Sequence, residues 1–142
     1  AERQALARDF GATHTVAERG ESFAAKVLEL TDGVGADAAL ECVGTKEALL
    51  QACASVRAGA IVGFVGVPVG VEIPVEPFFR RNVGLRGGMA PVRQYLPDMI
   101  DRVLSGTINP GRVFDLTLPL DDVAEAYAAM DERRAIKVML AP

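Results

Sequence analysis

The 142-residue chain carries 15 basic and 19 acidic side chains, for a net charge of −4, and half of its residues are apolar. That apolar content excludes disorder, and the length is one domain's worth, or a domain and a fragment, with room for a real core. The acidic balance argues against nucleic-acid and membrane-surface partners, and no apolar run reaches the ~20 residues needed to span a bilayer.

The opening residues lack the pattern of a signal peptide, and none is expected. Cys42 and Cys53 both sit among apolar residues, which reads as two buried free thiols rather than a disulfide. A cytoplasmic protein is the expectation.

Taken in order, Glu2–Phe10 has helical spacing through Leu6 and Phe10, with Gly11 placed to close it. Thr13–Val16 reads as a short strand. Ser22 is a candidate N-cap for a helix carrying Phe23, Val27 and Leu30 on one face, ended by the turn Asp32–Gly35. Ala36–Val43 reads as a buried strand. Gly44 and Thr45 start a helix whose face is Leu49, Ala52, Cys53 and Val56, closing at Arg57–Gly59.

The stretch Ala58–Pro68 organises what surrounds it. Ile61, Val62, Phe64 and Val65 form a run too short for a free-standing helix, bounded by Gly59 and by Gly66 and Pro68. It reads as a strand buried on both faces, of the kind found in parallel sheets flanked by helices. Val71–Arg81, with Pro74 and Pro77, reads as a loop region, and Val83–Gly88 as a fourth strand. The alternation of helix and strand with short connections predicts βαβ crossovers and a doubly wound parallel sheet.

Beyond a boundary near Met89–Pro91 the texture changes. Leu96–Leu104 reads as a helix with Pro97 in its first turn, and Val113–Leu118 alternates like an edge strand. Asp122 and Glu125 have capping-box spacing ahead of a helix lined by Val123, Ala126, Tyr127 and Met130. Ile136–Leu140 is the terminal strand.

Three strand ends are the best site candidates: Cys42-Val43-Gly44, Val65-Gly66-Val67-Pro68 and Gly87-Gly88. Each glycine alone reads as a turn glycine. Three together favour a site, because ligands of open α/β sheets sit beyond the strands' carboxyl ends. His14 reads as structural or solvated, and no cysteine–histidine spacing resembles a zinc site. Glu41, inside an apolar strand, calls for an explanation: an arginine partner or a role in the site. Arg80, Arg81 and Arg86 read as a solvated cluster. No residue is assigned as catalytic and none as a metal ligand.

The order Arg3-Gln4, Gly11-Ala12-Thr13, Leu30-Thr31-Asp32-Gly33, Gly35-Ala36-Asp37, Glu41-Cys42-Val43-Gly44, Val65-Gly66-Val67-Pro68, Ala126-Tyr127, Met130-Asp131 and Ile136-Lys137 resembles the zinc-containing alcohol dehydrogenases of the medium-chain dehydrogenase/reductase superfamily. The likeness covers essentially the whole chain. It implies a partial Rossmann-type sheet over residues 1–90 and a C-terminal α+β segment over 91–142 that folds back onto the catalytic domain.

The same resemblance implies NAD or NADP as cofactor. Cys42 and Val43 would flank the adenine, and Val65, Gly66 and Val67 would contact the nicotinamide side. Gly88 and Ala90 would bond the carboxamide, and Lys137 would meet the pyrophosphate. Zinc and an alcohol or aldehyde substrate would belong to the parent enzyme and not to this chain. A homo-oligomer formed through sheet edges is expected.

The family's G-x-G-x-x-G turn, its first two sheet strands and its zinc ligands are absent from this sequence. In the strand order 3-2-1-4-5-6, Thr13–Val16 would be strand 3, about 10–15 Å from Ala36–Val43 across two missing strands at ~4.8 Å spacing. A rearranged pairing, a swapped oligomer or a truncated piece of a longer enzyme follows, truncation being the simplest, with the isolated chain inactive. The other readings are a non-catalytic nucleotide-binding or oligomerisation module, and part of a zinc-free quinone reductase.

Overall fold

A computed structural model describes residues 2–142, which divide into two units: Val16–Ala90, and the described residues up to Thr15 together with Pro91–Pro142. Residues 2–15, expected to belong with the sheet, thus group with the C-terminal segment instead.

In the Val16–Ala90 unit the elements are α2 (Glu21–Leu30), β1 (Ala36–Glu41), α3 (Lys46–Ser55), β2 (Val56–Phe64), α4 (Val75–Arg81) and β3 (Gly84–Gly87); α1 (Glu2–Asp9) belongs to the other unit. The strands form one parallel sheet in the order β1-β2-β3. Thr45 is extended and its hydroxyl accepts from Ala48 N, so α3 starts from a true N-cap. Leu49 and Cys53 of α3 pack with Val56, Ala60, Val62 and Val83, with Phe64, Phe78 and Leu85 against them.

Several expectations need correction. Thr13–Val16 forms no strand and pairs with neither sheet among the described residues, and an isolated strand would leave its backbone groups unpaired. The α2 N-cap is Gly20, not Ser22. Val56 begins β2 rather than ending a helix face, because α3 stops at Ser55. Val71–Arg81 is not all loop: Pro74 is the N-cap of α4 and Pro77 falls in its first turn, where a missing N–H costs nothing.

β2 is also not buried on both faces. Val56 and Val62 are fully buried, whereas Ile61 is 50% exposed and Leu40, on the neighbouring strand, 78%. The contacts of α3 and α4 with the strands cover one face, and the other is open among the described residues. Arg81 is not a solvated cation; it donates to Cys53 O and Val56 O, tying the end of α3 to the start of β2.

The second unit contains α1, α5 (Val92–Leu104), β4 (Phe114–Pro119), α6 (Val123–Asp131) and β5 (Lys137–Ala141). β4 and β5 pair in parallel, and α6 packs on both, burying Ala126 and Ala129. α5 starts four residues earlier than expected, so Pro97 lies inside it and not in its first turn. Its residues are exposed, so water can satisfy the carbonyl that Pro97 leaves without a donor. The expected capping box does not form: Asp122 makes no side-chain cap, and Glu125 pairs with Arg134 at 2.8 Å.

Asp115 ties β4 to the start of β5. Its carboxyl accepts from Ile136 N at 2.9 Å and from Lys137 N at 3.3 Å. The Ile136 hydrogen bond, above the others, holds this carboxyl below its ordinary 3.8. The carboxylate is therefore favoured in the folded state. Its contribution is complete above the unfolded value near 4 and is lost as pH falls through the lower folded value. Melting curves between pH 5 and pH 2 should show the wild type losing an advantage over Asp115→Asn across that window, and the two converging at its acid end.

Candidate functional site

Because the sheet is parallel and ordered β1-β2-β3, the carboxyl ends of all three strands lie side by side on one edge. Two of them are joined at Glu41. Its backbone oxygen accepts from Val65 N at 2.9 Å and Gly66 N at 3.3 Å, and its side-chain Oε1 accepts from Val43 N at 2.6 Å and Gly44 N at 2.8 Å. Glu41 is only 3% exposed. Neither an arginine partner nor a free acid explains it: the buried carboxyl is consumed by the loop that follows it.

Two glycines permit this closeness. Gly44 has φ 88° and lies against the backbone of Val67, where a Cβ would come within 2.9 Å of Val67 N. Gly66 sits flush on Gly44 and Glu41, where a Cβ would come within 2.6 Å of Glu41 Oε2 and 2.7 Å of Gly44 Cα. The turns are thus pressed into a single lip, and their side chains project outward. Val43, Val65 and Val67 are 71%, 64% and 75% exposed. Three exposed valines at adjoining strand ends make an apolar surface suited to a flat ring.

Most of the expected site residues meet here. Cys42, Val43, Val65, Gly66 and Val67 share the lip, and Gly88 follows the β3 end, where Gly87 is in register with Phe64. Gly88 has φ 149°, and a side chain there would meet open space. Ala90, two residues on, is exposed. Lys137 is exposed at the start of β5, in the other unit.

Cys42 corrects an expectation: it is exposed rather than buried, because the chain leaves the sheet at that point. Cys53 is buried, and burial pushes its thiol up to about 11, against a smaller opposing effect of Arg81. His14 is exposed, with Nδ1 3.1 Å from Thr13 Oγ1. The residue whose role sequence reasoning missed is Glu41. Its signal was the spacing Glu-x-Val-Gly, which lets a strand-terminal carboxyl reach the N–H groups two and three residues on.

The residues fit the rings of a dinucleotide better than its phosphates, since the lip's N–H groups are occupied internally. Among the described residues no group of three or more His, Cys, Asp or Glu is arranged to hold a metal ion. Zinc does not fit this chain's own residues, and ligands for it would have to come from elsewhere.

Parallel strands joined by crossover helices, with glycine turns at their carboxyl ends, define a partial Rossmann-type nucleotide-binding domain. Comparisons with known proteins agree. Residues 1–105 match the family described as Zinc-binding dehydrogenase. A Mycobacterium tuberculosis protein named "Probable zinc-binding alcohol dehydrogenase" is 37% identical over 109 residues, covering 75% of this chain and 28% of that protein. "Zinc-type alcohol dehydrogenase B" of Aspergillus flavus is 31% identical over 140 residues, covering 96% of this chain and 32% of that protein.

The structure of the alcohol dehydrogenase from Thermus sp. ATN1 superposes with a TM-score of 0.88 at 30% identity, covering 99% of this chain and 42% of that one. The chain belongs to the zinc-binding dehydrogenase family. It spans well under half the length of these relatives.

Two outcomes test the geometry of the lip. Gly66→Ala should destabilise the protein by about 3 kcal/mol in urea unfolding, because backbone on the opposite turn blocks the added methyl. Alkylation at pH 8 followed by mass analysis should place a single fast adduct on Cys42, with Cys53 modified only after denaturation.

Proposed function

We infer that this chain supplies the second half of the nucleotide-binding domain, and the segment that follows it, in an NAD(P)-linked zinc-type alcohol dehydrogenase. One observation carries the reading: three parallel strand ends side by side, presenting exposed valines where the fold class places its ligands. The bound nicotinamide would accept or give the hydride exchanged with an alcohol carbon.

The chain's own part is to bind and orient. Val43, with Cys42 beside it, would lie against the adenine. Val65 and Val67 would exclude water from the nicotinamide side, and Gly66 lets the two turns close. Gly88 and Ala90 would offer backbone groups to the carboxamide. NAD and NADP are equally compatible with these residues. By itself the chain should turn over no alcohol, because no zinc site fits its residues.

The two free cysteines agree with a reducing, cytoplasmic setting. No helix is long and apolar enough to cross a membrane among the described residues. A second reading is favoured by one feature. β1 and β3 are the outer strands of the sheet, and an open edge can pair with a second copy. That makes an assembly module the alternative, with a homo-oligomer joined through sheet edges.

Titration with NAD+ and NADP+, followed by amide resonances, separates the readings. Saturable shifts at Val43, Val65, Val67 and Gly88 with a Kd on the order of micromolar support a cofactor site, and Val67→Asp should abolish them without unfolding the protein. No response up to about millimolar nucleotide removes the cofactor reading and leaves assembly.

A further inference from the structure

Four backbone N–H groups crowd the lip where β1 and β2 end, and a single residue consumes all four. Val43 N and Gly44 N donate to Glu41 Oε1 at 2.6 and 2.8 Å, and Val65 N and Gly66 N donate to Glu41 O at 2.9 and 3.3 Å. Glycine turns at strand ends commonly bind phosphate or carboxylate through N–H groups of this kind. Here an internal acceptor already holds that place.

We propose that Glu41 is a positioning residue that makes this lip a subsite for an uncharged planar ring and closes it to phosphate and carboxylate groups. The naming of that ring as part of a nucleotide rests on the function proposed above; the exclusion of anions does not.

The geometry supports both halves. Glu41 is buried, so its carboxyl is shielded from competition by water. Its Oε2 lies beside Gly66, the position that admits no side chain. The carboxyl therefore sets the course of the 43–44 loop and the spacing between the two turns. An anion approaching the lip would have to displace Glu41 from two hydrogen bonds and strand a buried carboxyl. A neutral ring has no such barrier. It meets Val43, Val65 and Val67, which stand out into solvent, and gains by covering them.

The test uses the full 15N-labelled chain. Without ligand, the Val43 and Gly44 amides should be protected from exchange, and Glu41→Ala should speed both by on the order of 10–100-fold while Val62 keeps its protection. Glu41→Gln, which retains one acceptor oxygen, should restore most of that protection, and it carries the comparison if the alanine variant fails to fold.

Adenosine should shift Val43 in the wild type and inorganic pyrophosphate should not. In Glu41→Ala the adenosine response should weaken by about tenfold or more, and pyrophosphate should begin to perturb Val43 and Gly44. Unchanged exchange at these amides in Glu41→Ala, or pyrophosphate shifting the wild-type lip, overturns the proposal. A wild-type lip that ignores adenosine, NAD+ and pyrophosphate alike, with exchange still governed by Glu41, overturns the nucleotide reading and the ring subsite together, and upholds the anion exclusion.

Discussion

The arrangement of the candidate site depends on one buried carboxyl. Glu41 ends β1, and from that place its two acceptor groups gather two N–H groups from each of the turns that leave the sheet. A buried acceptor with good donors is stabilising, whereas the same group without them is costly. The two turns are consequently determined together rather than separately. The glycines at 44 and 66 are the steric condition for that arrangement, since a Cβ at either would strike the opposite backbone. Electrostatic satisfaction and close packing therefore make the same demand on this edge.

Much of the sheet unit was legible because its signals are local. Short apolar runs separated by amphipathic helices imply parallel strands with crossovers, and β1-β2-β3 is the result. The glycines that end the strands are local signals too, and they lie together at the carboxyl edge of the sheet. What could not be read depended on neighbours. Thr13–Val16 has strand composition but no strand beside it. Ile61 and Leu40 have core composition, yet stand on a sheet face that no described element covers. Hydrophobic periodicity reports what a segment can bury and is silent on whether a partner is present.

Polar side chains were harder to read for a related reason. The spacing of Asp122 and Glu125 meets the capping-box rule, but Arg134 offers Glu125 an ion pair instead. Arg81 looked like a solvated cation within a basic cluster, yet its guanidinium ends α3 and begins β2 through two carbonyls. Glu41 looked like half of an ion pair and is a loop clamp. In each case a flexible polar side chain had several partners within reach, and the choice was made by tertiary structure. Pro74 and Pro77 misled differently. Proline opposes a helix interior but is compatible with a first turn, and α4 places both at its start.

The open sheet face and the composition of the lip have a common consequence. Leu40 and Ile61 expose apolar surface on one side of the sheet, while Val43, Val65 and Val67 expose it at the carboxyl edge. A solvated protein gains from covering both, but by different means. The broad face calls for another layer of secondary structure, because a small molecule cannot bury a sheet. The lip is a small set of side chains at two turns whose N–H groups are already held by Glu41. In a family whose matched members are more than twice as long as the aligned region, these are two separable requirements. Further polypeptide would stabilise the sheet, whereas the shape of the lip is already set by Glu41, Gly44 and Gly66. The course of the turns at this edge is therefore set within the Val16–Ala90 unit, by Glu41, Gly44 and Gly66.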